Sequence, residues 1–152
     1  MLDKDDLIVR FAGEGGQGVV TSAEGLAQAA TQTGYNAQTF ATFPSQILGG
    51  PTWTQARIST TPALSNGDDI DVLVAFNEEA YETHKDEVTD GGVIIYDSAV
   101  FQIDDKSSLG VAFDELGRST GNTRAANMVI LGALAKLVNW PEEYLVEFVK
   151  AR

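Results

Sequence analysis

The sequence predicts an α/β protein, a Rossmann-like three-layer α/β/α domain with a mainly parallel sheet, and three observations support this fold class. Short apolar runs alternate with longer segments of helical periodicity, as strands alternate with crossover helices. Residues 71–76 and 93–96 are almost continuously apolar, which is typical of parallel strands buried on both faces. A glycine-rich turn at residues 13–18 joins the first strand to the first helix, as in nucleotide-binding folds.

The individual elements follow from local patterns along the chain. Gly34 stops the first helix, Asn77 is positioned to cap the second, and Pro141 opens the last. The alternation of apolar and polar residues from Trp53 to Ser59 predicts a strand with one exposed face. The predicted strands are residues 7–12, 37–42, 53–59, 71–76, 93–96 and 111–113, and the predicted helices are residues 19–33, 78–88, 123–138 and 141–152.

Length and composition limit the class of protein. At 152 residues the chain is predicted to form one domain with a buried core, and it lacks an apolar run of the ~20 residues that span a membrane. The net charge is −12, from 22 acidic and 10 basic residues, which argues against nucleic-acid binding. The acidic N-terminus does not resemble a signal peptide, so we expect a cytoplasmic protein with no membrane contact.

The cysteine and histidine content limits the chemistry of the chain. There is no cysteine, which excludes disulfides, thiolate catalysis and iron–sulfur ligation by this chain. The single histidine, His84, lies in a polar helical segment and is predicted to be a solvated surface residue. We predict neither a catalytic residue nor a metal site on this chain.

The glycine-rich turn is the strongest local signal of function. Gly13, Gly15 and Gly18 have the spacing of dinucleotide-binding loops, and the helix that follows begins with amide donors for a phosphate or a carboxylate. The acidic residue that usually holds the ribose is absent, because no Asp or Glu occurs between Glu24 and Asp68. This gap argues against NAD or FAD and leaves two interpretations, a phosphate-bearing ligand or a loop that packs tightly. The candidate ligand-binding residues are Gly13, Glu14, Gly15, Gly16, Gln17, Gly18 and Asn77.

The segment between the second and third strands combines large aromatic residues with turn formers. Long loops of this kind tend to be functional, so we expect a lid or a subunit interface. The competing interpretation is a loop that packs Phe43 and Trp53 into the core. The candidate lid or interface residues are Phe43, Pro44, Ser45, Gly49, Gly50 and Trp53.

Five segments carry a family resemblance. They are residues 13–18 followed by Val19 and Thr21, Gly49-Gly50 with residues 56–59, residues 69–77 with Glu79-Ala80, residues 91–98, and residues 127–133. In this order they resemble the gamma domain of the 2-oxoacid:ferredoxin (or flavodoxin) oxidoreductases, in which the gamma module is a separate subunit or is fused to the alpha part. Phe43-Pro44-Ser45 resembles the fused, 2-oxoglutarate-type alpha subunits, whereas Leu48 stands where the family usually has an arginine.

The resemblance implies a component of an enzyme of the EC 1.2.7 type, which decarboxylates a 2-oxoacid, reduces ferredoxin and forms an acyl-CoA. It implies alpha, beta and cluster-bearing partner subunits or domains that carry thiamine diphosphate, Mg²⁺ and 4Fe–4S clusters. This chain lacks cysteine and a Gly-Asp-Gly thiamine diphosphate motif. We therefore expect it to be silent alone and to help form the coenzyme A cleft and a subunit interface. Relatives continue beyond the last residue, so we expect residues 1–152 to be a single gamma-type domain truncated at its C-terminus.

Two alternatives stand beside this interpretation. A free-standing nucleotide-binding domain or NAD-dependent enzyme would bind NAD(H) by itself. A structural scaffold would bind no small molecule at all. Titration with NAD(H), coenzyme A and ADP distinguishes the three hypotheses.

Overall fold

The computed structural model describes residues 5–43, 49–122, 125–141, 143, 145, 146 and 150. In this part of the chain the strands are β1 (Asp6–Glu14), β2 (Asn36–Thr42), β3 (Pro51–Ser59), β4 (Ile70–Ala75), β5 (Val88–Asp97) and β6 (Ser108–Val111). The helices are α1 (Val19–Gln32), α2 (Glu78–His84), α3 (Phe113–Ser119) and α4 (Ala126–Val138), with a short 3₁₀ turn at Lys85–Glu87. The predicted α/β fold class is confirmed.

The six strands form one sheet in the order β2-β3-β1-β4-β5-β6. The neighbours β1, β4, β5 and β6 run parallel, whereas β3 is antiparallel to both β1 and β2. The chain leaves β1 toward one edge of the sheet and continues from β4 toward the other, so its winding reverses between β1 and β4. Open α/β sheets bind ligands at such a reversal, beyond the carboxyl ends of the strands.

Helices cover both faces of the sheet and make three layers. The apolar side chains of α1 and α4 pack on one face, and α2 contacts β1 and β4 on the other. The pleat of β1 sets this division, because Val9 and Phe11 belong to the core beneath α1, whereas Ala12 belongs to the opposite core. The central strand β4 is buried along its whole length, as its apolar sequence predicts.

The strand β3 is covered on both faces, so the prediction of one exposed face was wrong. No residue from Trp53 to Ser59 is exposed. The additional cover comes from residues 60–69, where the carbonyl oxygens of Asn66 and Gly67 each accept a hydrogen bond from Gln55 Nε2 at 2.8 Å. Sequence alternation shows that Gln55 is polar, but it does not show the loop carbonyls that bind its side chain.

Some element boundaries also differ from the sequence prediction. β5 begins at Val88 rather than near Val93, because α2 ends at His84 and the chain turns through the 3₁₀ segment. The strand predicted at residues 111–113 is displaced, since β6 ends at Val111 and Phe113 begins α3. The predicted last helix lies partly outside the described residues, of which 143, 145, 146 and 150 are helical. Among the helices that the structure describes, none is long and apolar enough to cross a bilayer.

Candidate functional site

A pocket of about 1190 Å³ lies at the carboxyl-end edge of the sheet, where the winding reverses. Small-molecule sites typically measure about 300–1,000 Å³, so this pocket has room for an extended ligand. Its lining comes from the glycine-rich turn, the ends of β4 and β5, α3 and the first turn of α4. The lining residues are Gly16, Gln17, Gly18, Thr21, Phe76, Asp97, Val100, Phe113, Asp114, Arg118, Thr120, Asn122, Ala125, Ala126, Asn127 and Met128.

The glycine-rich turn presents backbone to this pocket. Gly16 and Gly18 have φ angles of 96° and 89°, in the left-handed region that favours glycine. A Cβ at Gly16 would meet nothing within 4 Å, so this residue faces open space. Gly18 is the N-cap residue of α1, and no side chain in the described part of the chain caps that helix. The first amides of α1 therefore have no intrahelical acceptor and are available to a ligand or to water.

Gln17 folds back over the turn and fixes it to the sheet. Its Oε1 accepts hydrogen bonds from the backbone amide of Glu14 at 2.7 Å and from Asn77 Nδ2 at 3.3 Å. Asn77 Oδ1 accepts from the Ala80 amide at 2.8 Å and so caps α2, as predicted. The turn after β1 is thus tied to the turn after β4.

Gly13 and Gly15 have other surroundings. A Cβ at Gly13 would lie 2.5 Å from Gln17 Oε1 and 2.8 Å from Phe76 Cβ, so glycine at this position allows the close packing of the turn. The Gly15 amide donates to the Gly50 carbonyl at 3.3 Å, which links the turn to the start of β3. Of the predicted ligand-binding residues, Gly16, Gln17 and Gly18 line the pocket, whereas Gly13, Glu14, Gly15 and Asn77 are not part of its lining.

The first turn of α4 meets the same pocket as the glycine-rich turn. Its residues 125–128 line the pocket, and among the described residues no side chain caps the helix, although the Ala125 and Met128 amides donate to the carbonyl oxygens of Asn122 and Ala125. Asn127 is 9% exposed, and its carboxamide lies directly against Gly18. A Cβ at Gly18 would be 2.2 Å from Asn127 Oδ1 and 2.4 Å from Nδ2. The positive ends of two helix dipoles therefore converge on one cavity, which favours a phosphate or another anion.

The pocket wall also carries two carboxylates and one guanidinium group. Burial raises the pKa of Asp97, and the hydrogen bonds that it accepts from the backbone amides of Ala99 and Asp114 oppose this rise. Asp114 Oδ2 pairs with Arg118 Nη2 at 2.9 Å. Donors of the chain therefore already engage both acidic groups, so they do not stand as bare charges toward the cavity.

The predicted lid or interface segment is described in part. Pro44 and Ser45 lie outside the described residues. Phe43 is 71% exposed and does not pack into the core, whereas Trp53 is half-buried and packs against the Arg10 guanidinium, 4.3 Å from the ring centroid. A role as a lid or an interface stays a prediction.

His84 is buried, so the prediction of a solvated surface residue was wrong. Its Nδ1 lies 3.2 Å from Arg10 Nη1 and 2.7 Å from Glu87 Oε1. Arg10 also donates to Glu87 and to Gln55 Oε1, the latter from Nε at 3.1 Å and from Nη2 at 2.8 Å. We call Arg10, Gln55, His84 and Glu87 the Arg10 cluster. Burial alone would raise the pKa of Glu87, but its hydrogen bonds with His84 and Arg10 lower it.

The strand order bears on the NAD(H) alternative. In a dinucleotide-binding Rossmann sheet β2 lies beside β1, and the acidic residue at its end holds the ribose. Here the antiparallel β3 lies between them. The end of β2 is therefore one further strand spacing, about 4.8 Å, from the turn. Both the missing acid and the displaced strand disfavour NAD(H). Within the described residues, no group of three His, Asp or Glu side chains is arranged to hold a metal ion.

Asn127 and the α3 residues were not predicted from the sequence as residues of the site. Asn127 reaches the turn only because α4 packs beside α1, which no local pattern shows. One signal was present, since Asn127 is the single polar side chain within the apolar run of residues 125–135. A lone polar residue at the start of an apolar helix indicates that its side chain has a polar partner elsewhere in the fold or in a ligand.

An α/β domain with a glycine-rich turn and two uncapped helix ends at one pocket is an architecture suited to phosphate-bearing ligands. Residues 8–152 match the model of the family described as pyruvate ferredoxin/flavodoxin oxidoreductase. The chain therefore belongs to this family, and the resemblance found in the sequence is confirmed.

Three known proteins illustrate the relationship. Ketoisovalerate oxidoreductase subunit VorA of Methanothermobacter thermautotrophicus is 38% identical over 85% of this chain. The solved structure of 2-oxoglutarate:ferredoxin oxidoreductase from Magnetococcus marinus, with 2-oxoglutarate, coenzyme A and succinyl-CoA bound, has a TM-score of 0.87 at 36% identity over 98% of this chain. The gamma subunit of a keto/oxoacid ferredoxin oxidoreductase from Geobacter sulfurreducens shares the fold, with a TM-score of 0.85 at 24% identity over 98% of this chain.

The fraction of each relative's length that this chain spans differs widely. The chain spans 28% of the length of VorA and 27% of the Magnetococcus chain, but 86% of the Geobacter gamma-subunit chain. Domains of this kind therefore occur both within long chains and as most of a small subunit.

Proposed function

We propose that this domain forms one wall of the coenzyme A cleft of a cytoplasmic 2-oxoacid:ferredoxin oxidoreductase and is not catalytic by itself. The observation that carries the proposal is the backbone-lined end of the pocket, where Gly16 and Gly18 lie at the uncapped N-terminus of α1. A helix end of this kind binds phosphate groups through its free amides and its dipole. The relative of 36% identity has coenzyme A and succinyl-CoA bound in its structure.

The lining of the pocket fits both halves of coenzyme A. The α1 and α4 ends offer donors to the diphosphate, and the wall includes Phe76, Val100, Phe113 and Met128, which offer apolar surface to the pantetheine arm. A coenzyme A site does not need the ribose-binding acid that this chain lacks. The ligand class therefore agrees with the sequence gap that disfavours NAD(H).

The complete enzyme would convert a 2-oxoacid, coenzyme A and oxidised ferredoxin into an acyl-CoA, CO₂ and reduced ferredoxin. When bound to the alpha, beta and cluster-bearing partners, thiamine diphosphate with Mg²⁺ and the 4Fe–4S clusters would supply the carbanion and electron chemistry. This chain would bind coenzyme A and orient its thiol toward the partner's site. Such positioning converts a bimolecular step into an effectively unimolecular one.

The segment around Gly50 would act as a lid over the cleft or as a subunit interface. The hydrogen bond from Gly15 ties this segment to the glycine-rich turn. Phe43 is 71% exposed on the same connection, and a large apolar side chain at such a position suits contact with a partner subunit or domain.

Calorimetric titration of the chain with coenzyme A, ADP and NAD(H) tests the proposal. We expect saturable binding of coenzyme A and of ADP, and much weaker binding of NAD(H). The chain alone should not oxidise a 2-oxoacid with a dye acceptor, and activity should depend on thiamine-bearing and cluster-bearing partners. Tight NAD(H) binding without coenzyme A binding, or turnover by the chain alone, would contradict the proposal.

A further inference from the structure

Asn127 is a largely buried polar side chain at the pocket, and the described residues offer its carboxamide no hydrogen-bond partner. It is 9% exposed, and its carboxamide has no hydrogen-bond partner in the described part of the chain. Buried side-chain polar atoms in native structures nearly always have a partner, so such a group calls for an explanation. The Ser22 and Thr54 hydroxyls are fully buried and also lack a partner among the described residues, whereas the Asn127 carboxamide borders the open pocket.

Donors from the starts of α1 and α4 lie near Asn127, and the acidic groups of the pocket wall, Asp97 and Asp114, are engaged by other donors of the chain. The carboxamide lies against Gly18, the residue from which α1 begins, and belongs itself to the first turn of α4. Both helix starts line the pocket and present the positive ends of their dipoles there, although the Ala125 and Met128 amides of α4 already donate to the carbonyl oxygens of Asn122 and Ala125. A ligand group that satisfies this region must accept several hydrogen bonds and carry negative charge.

We propose that Asn127 is a ligand-binding residue whose Nδ2 donates a hydrogen bond to a phosphate oxygen of a diphosphate held between the N-termini of α1 and α4. This inference rests on the proposed function and assigns the coenzyme A diphosphate, rather than the pantetheine arm, to this end of the pocket. The apolar wall at Phe76 and Phe113 then receives the arm. The role is assigned to Nδ2 because the oxygen atoms of an ionised diphosphate accept hydrogen bonds, and Nδ2 is the donor of the carboxamide.

The same placement explains why position 18 is glycine. Any side chain there would occupy the space of the Asn127 carboxamide, since an ideal Cβ lies 2.2 Å from Oδ1. Gly18 and Asn127 therefore form one unit, in which the bare Cα of the turn makes room for a side-chain donor from the other helix.

The test compares two substitutions at one position. Asn127→Asp keeps the shape of the side chain, removes the donor and adds a negative charge, and the helix dipole offsets part of the cost of burying that carboxylate. We expect Asn127→Ala to weaken coenzyme A and ADP binding by about tenfold to a hundredfold, the value of a hydrogen bond to a charged group. Asn127→Asp should weaken both by more than about a hundredfold, because like charges then meet.

A matched control carries the same charge change outside the pocket. Asn36 is exposed on the edge strand β2, and Asn36→Asp should leave the affinity for coenzyme A within about twofold, because exposed charges at a distance are screened. The affinity for pantetheine, which lacks the diphosphate, should be the same in all the variants. Circular dichroism and thermal unfolding verify that each variant is folded.

The outcomes separate this inference from the proposed function. If the wild-type chain binds coenzyme A and Asn127→Asp binds it as tightly, the phosphate-donor role is overturned and the coenzyme A cleft stands. A loss of pantetheine affinity in Asn127→Ala would overturn the assignment of the diphosphate to this end. If the wild-type chain binds neither coenzyme A nor ADP, the proposed function fails and this inference fails with it.

Discussion

The Arg10 cluster and the glycine-rich turn lie on the same strand, β1, and differ in what their polar groups bind. In the Arg10 cluster the guanidinium nitrogen atoms contact acceptors on Gln55, His84 and Glu87, within a region that other elements cover. At the turn the first amides of α1 and the Asn127 carboxamide face a pocket. A saturated polar cluster stabilises the fold, whereas donors left open at a cavity are available to a ligand.

This difference makes the two regions separable by substitution. Changes in the Arg10 cluster should alter the free energy of unfolding and leave ligand affinity unchanged. Changes at the pocket end of the turn should alter ligand affinity. A substitution at Gly18 should change both the free energy of unfolding and the ligand affinity. Its positive φ angle and its contact with Asn127 contribute to the fold, and the residue also lines the pocket.

The largest effect is expected for Gly18→Ala. The residue has a φ angle of 89°, where a non-glycine residue costs about 1–2 kcal/mol, and its Cβ would overlap the Asn127 carboxamide. We expect a loss of about 2 kcal/mol or more in the free energy of unfolding and no measurable coenzyme A binding. Urea denaturation measures the free energy of unfolding, and calorimetry measures coenzyme A binding.

Gly15→Ala is the matched control for this change. A Cβ at Gly15 would approach only Gly49, at 3.9 Å, which is an ordinary contact. Its free energy of unfolding should remain within about 0.5 kcal/mol of wild type. Equal destabilisation by both substitutions would contradict the packing described at Gly18.

Arg10→Met should lower stability without changing affinity. The substitution keeps much of the apolar contact with Trp53 but leaves the Gln55 Oε1 acceptor, in a residue that is 2% exposed, without its two donors. An unsatisfied buried polar group costs about 1–3 kcal/mol, so we expect a loss of that size in urea denaturation.

The control for Arg10→Met is Lys85→Met, which removes a surface ion pair with Glu82. Surface pairs contribute little, so its unfolding midpoint should be close to that of wild type. A large change in coenzyme A affinity in Arg10→Met would show that the Arg10 cluster and the glycine-rich turn are energetically coupled.

Gln17→Ala should have a smaller effect, mainly on the affinity for coenzyme A. It removes the acceptor that joins the Glu14 amide to Asn77, so the turn loses part of its fixed geometry. We expect coenzyme A affinity to fall by about threefold to tenfold, because a neutral hydrogen bond contributes about 0.5–1.5 kcal/mol. Gln28→Ala, on the exposed side of α1, should bind as wild type does. An unchanged affinity in Gln17→Ala would mean that the turn is rigid without this bridge.

The smallest effect concerns the pH dependence of stability. The folded-state pKa of Glu87 lies below its unfolded value of about 4.3, so its contribution is present above that pH and is lost as the pH falls through the folded pKa. The stability advantage of wild type over Glu87→Gln should therefore shrink between about pH 5 and pH 3 in urea denaturation. Glu87 is 45% exposed, so solvent screening keeps the effect small. An advantage that grows as the pH falls would contradict the hydrogen bonds assigned to Glu87.

Local patterns were sufficient to predict much of the fold and part of the site. The buried strand β4, the helix α1 and the Asn77 cap follow from apolar runs, helical periodicity and capping chemistry within a few residues of sequence. The glycine-rich turn could be placed at the ligand-binding edge because the carboxyl ends of parallel strands meet there.

The features that could not be predicted from the sequence depend on contacts between residues far apart in the chain. The insertion of β3 between β1 and β2 depends on which strands pair, and strand order leaves no mark in local periodicity. His84 is buried because Arg10, 74 positions away in the sequence, reaches its ring. Asn127 becomes a pocket residue only through the packing of α4 beside the turn. Each of these outcomes is a tertiary contact that overrides a correct local pattern.

An NMR titration of the chain with coenzyme A tests most directly whether the open donors at the turn, and not the saturated Arg10 cluster, receive the ligand. We expect the backbone amide signals of residues 16–21 and 125–128 to shift on addition of coenzyme A, and those of Arg10, Gln55 and His84 to keep their positions. Shifts confined to the surroundings of His84, or no shift at saturating coenzyme A, would contradict it.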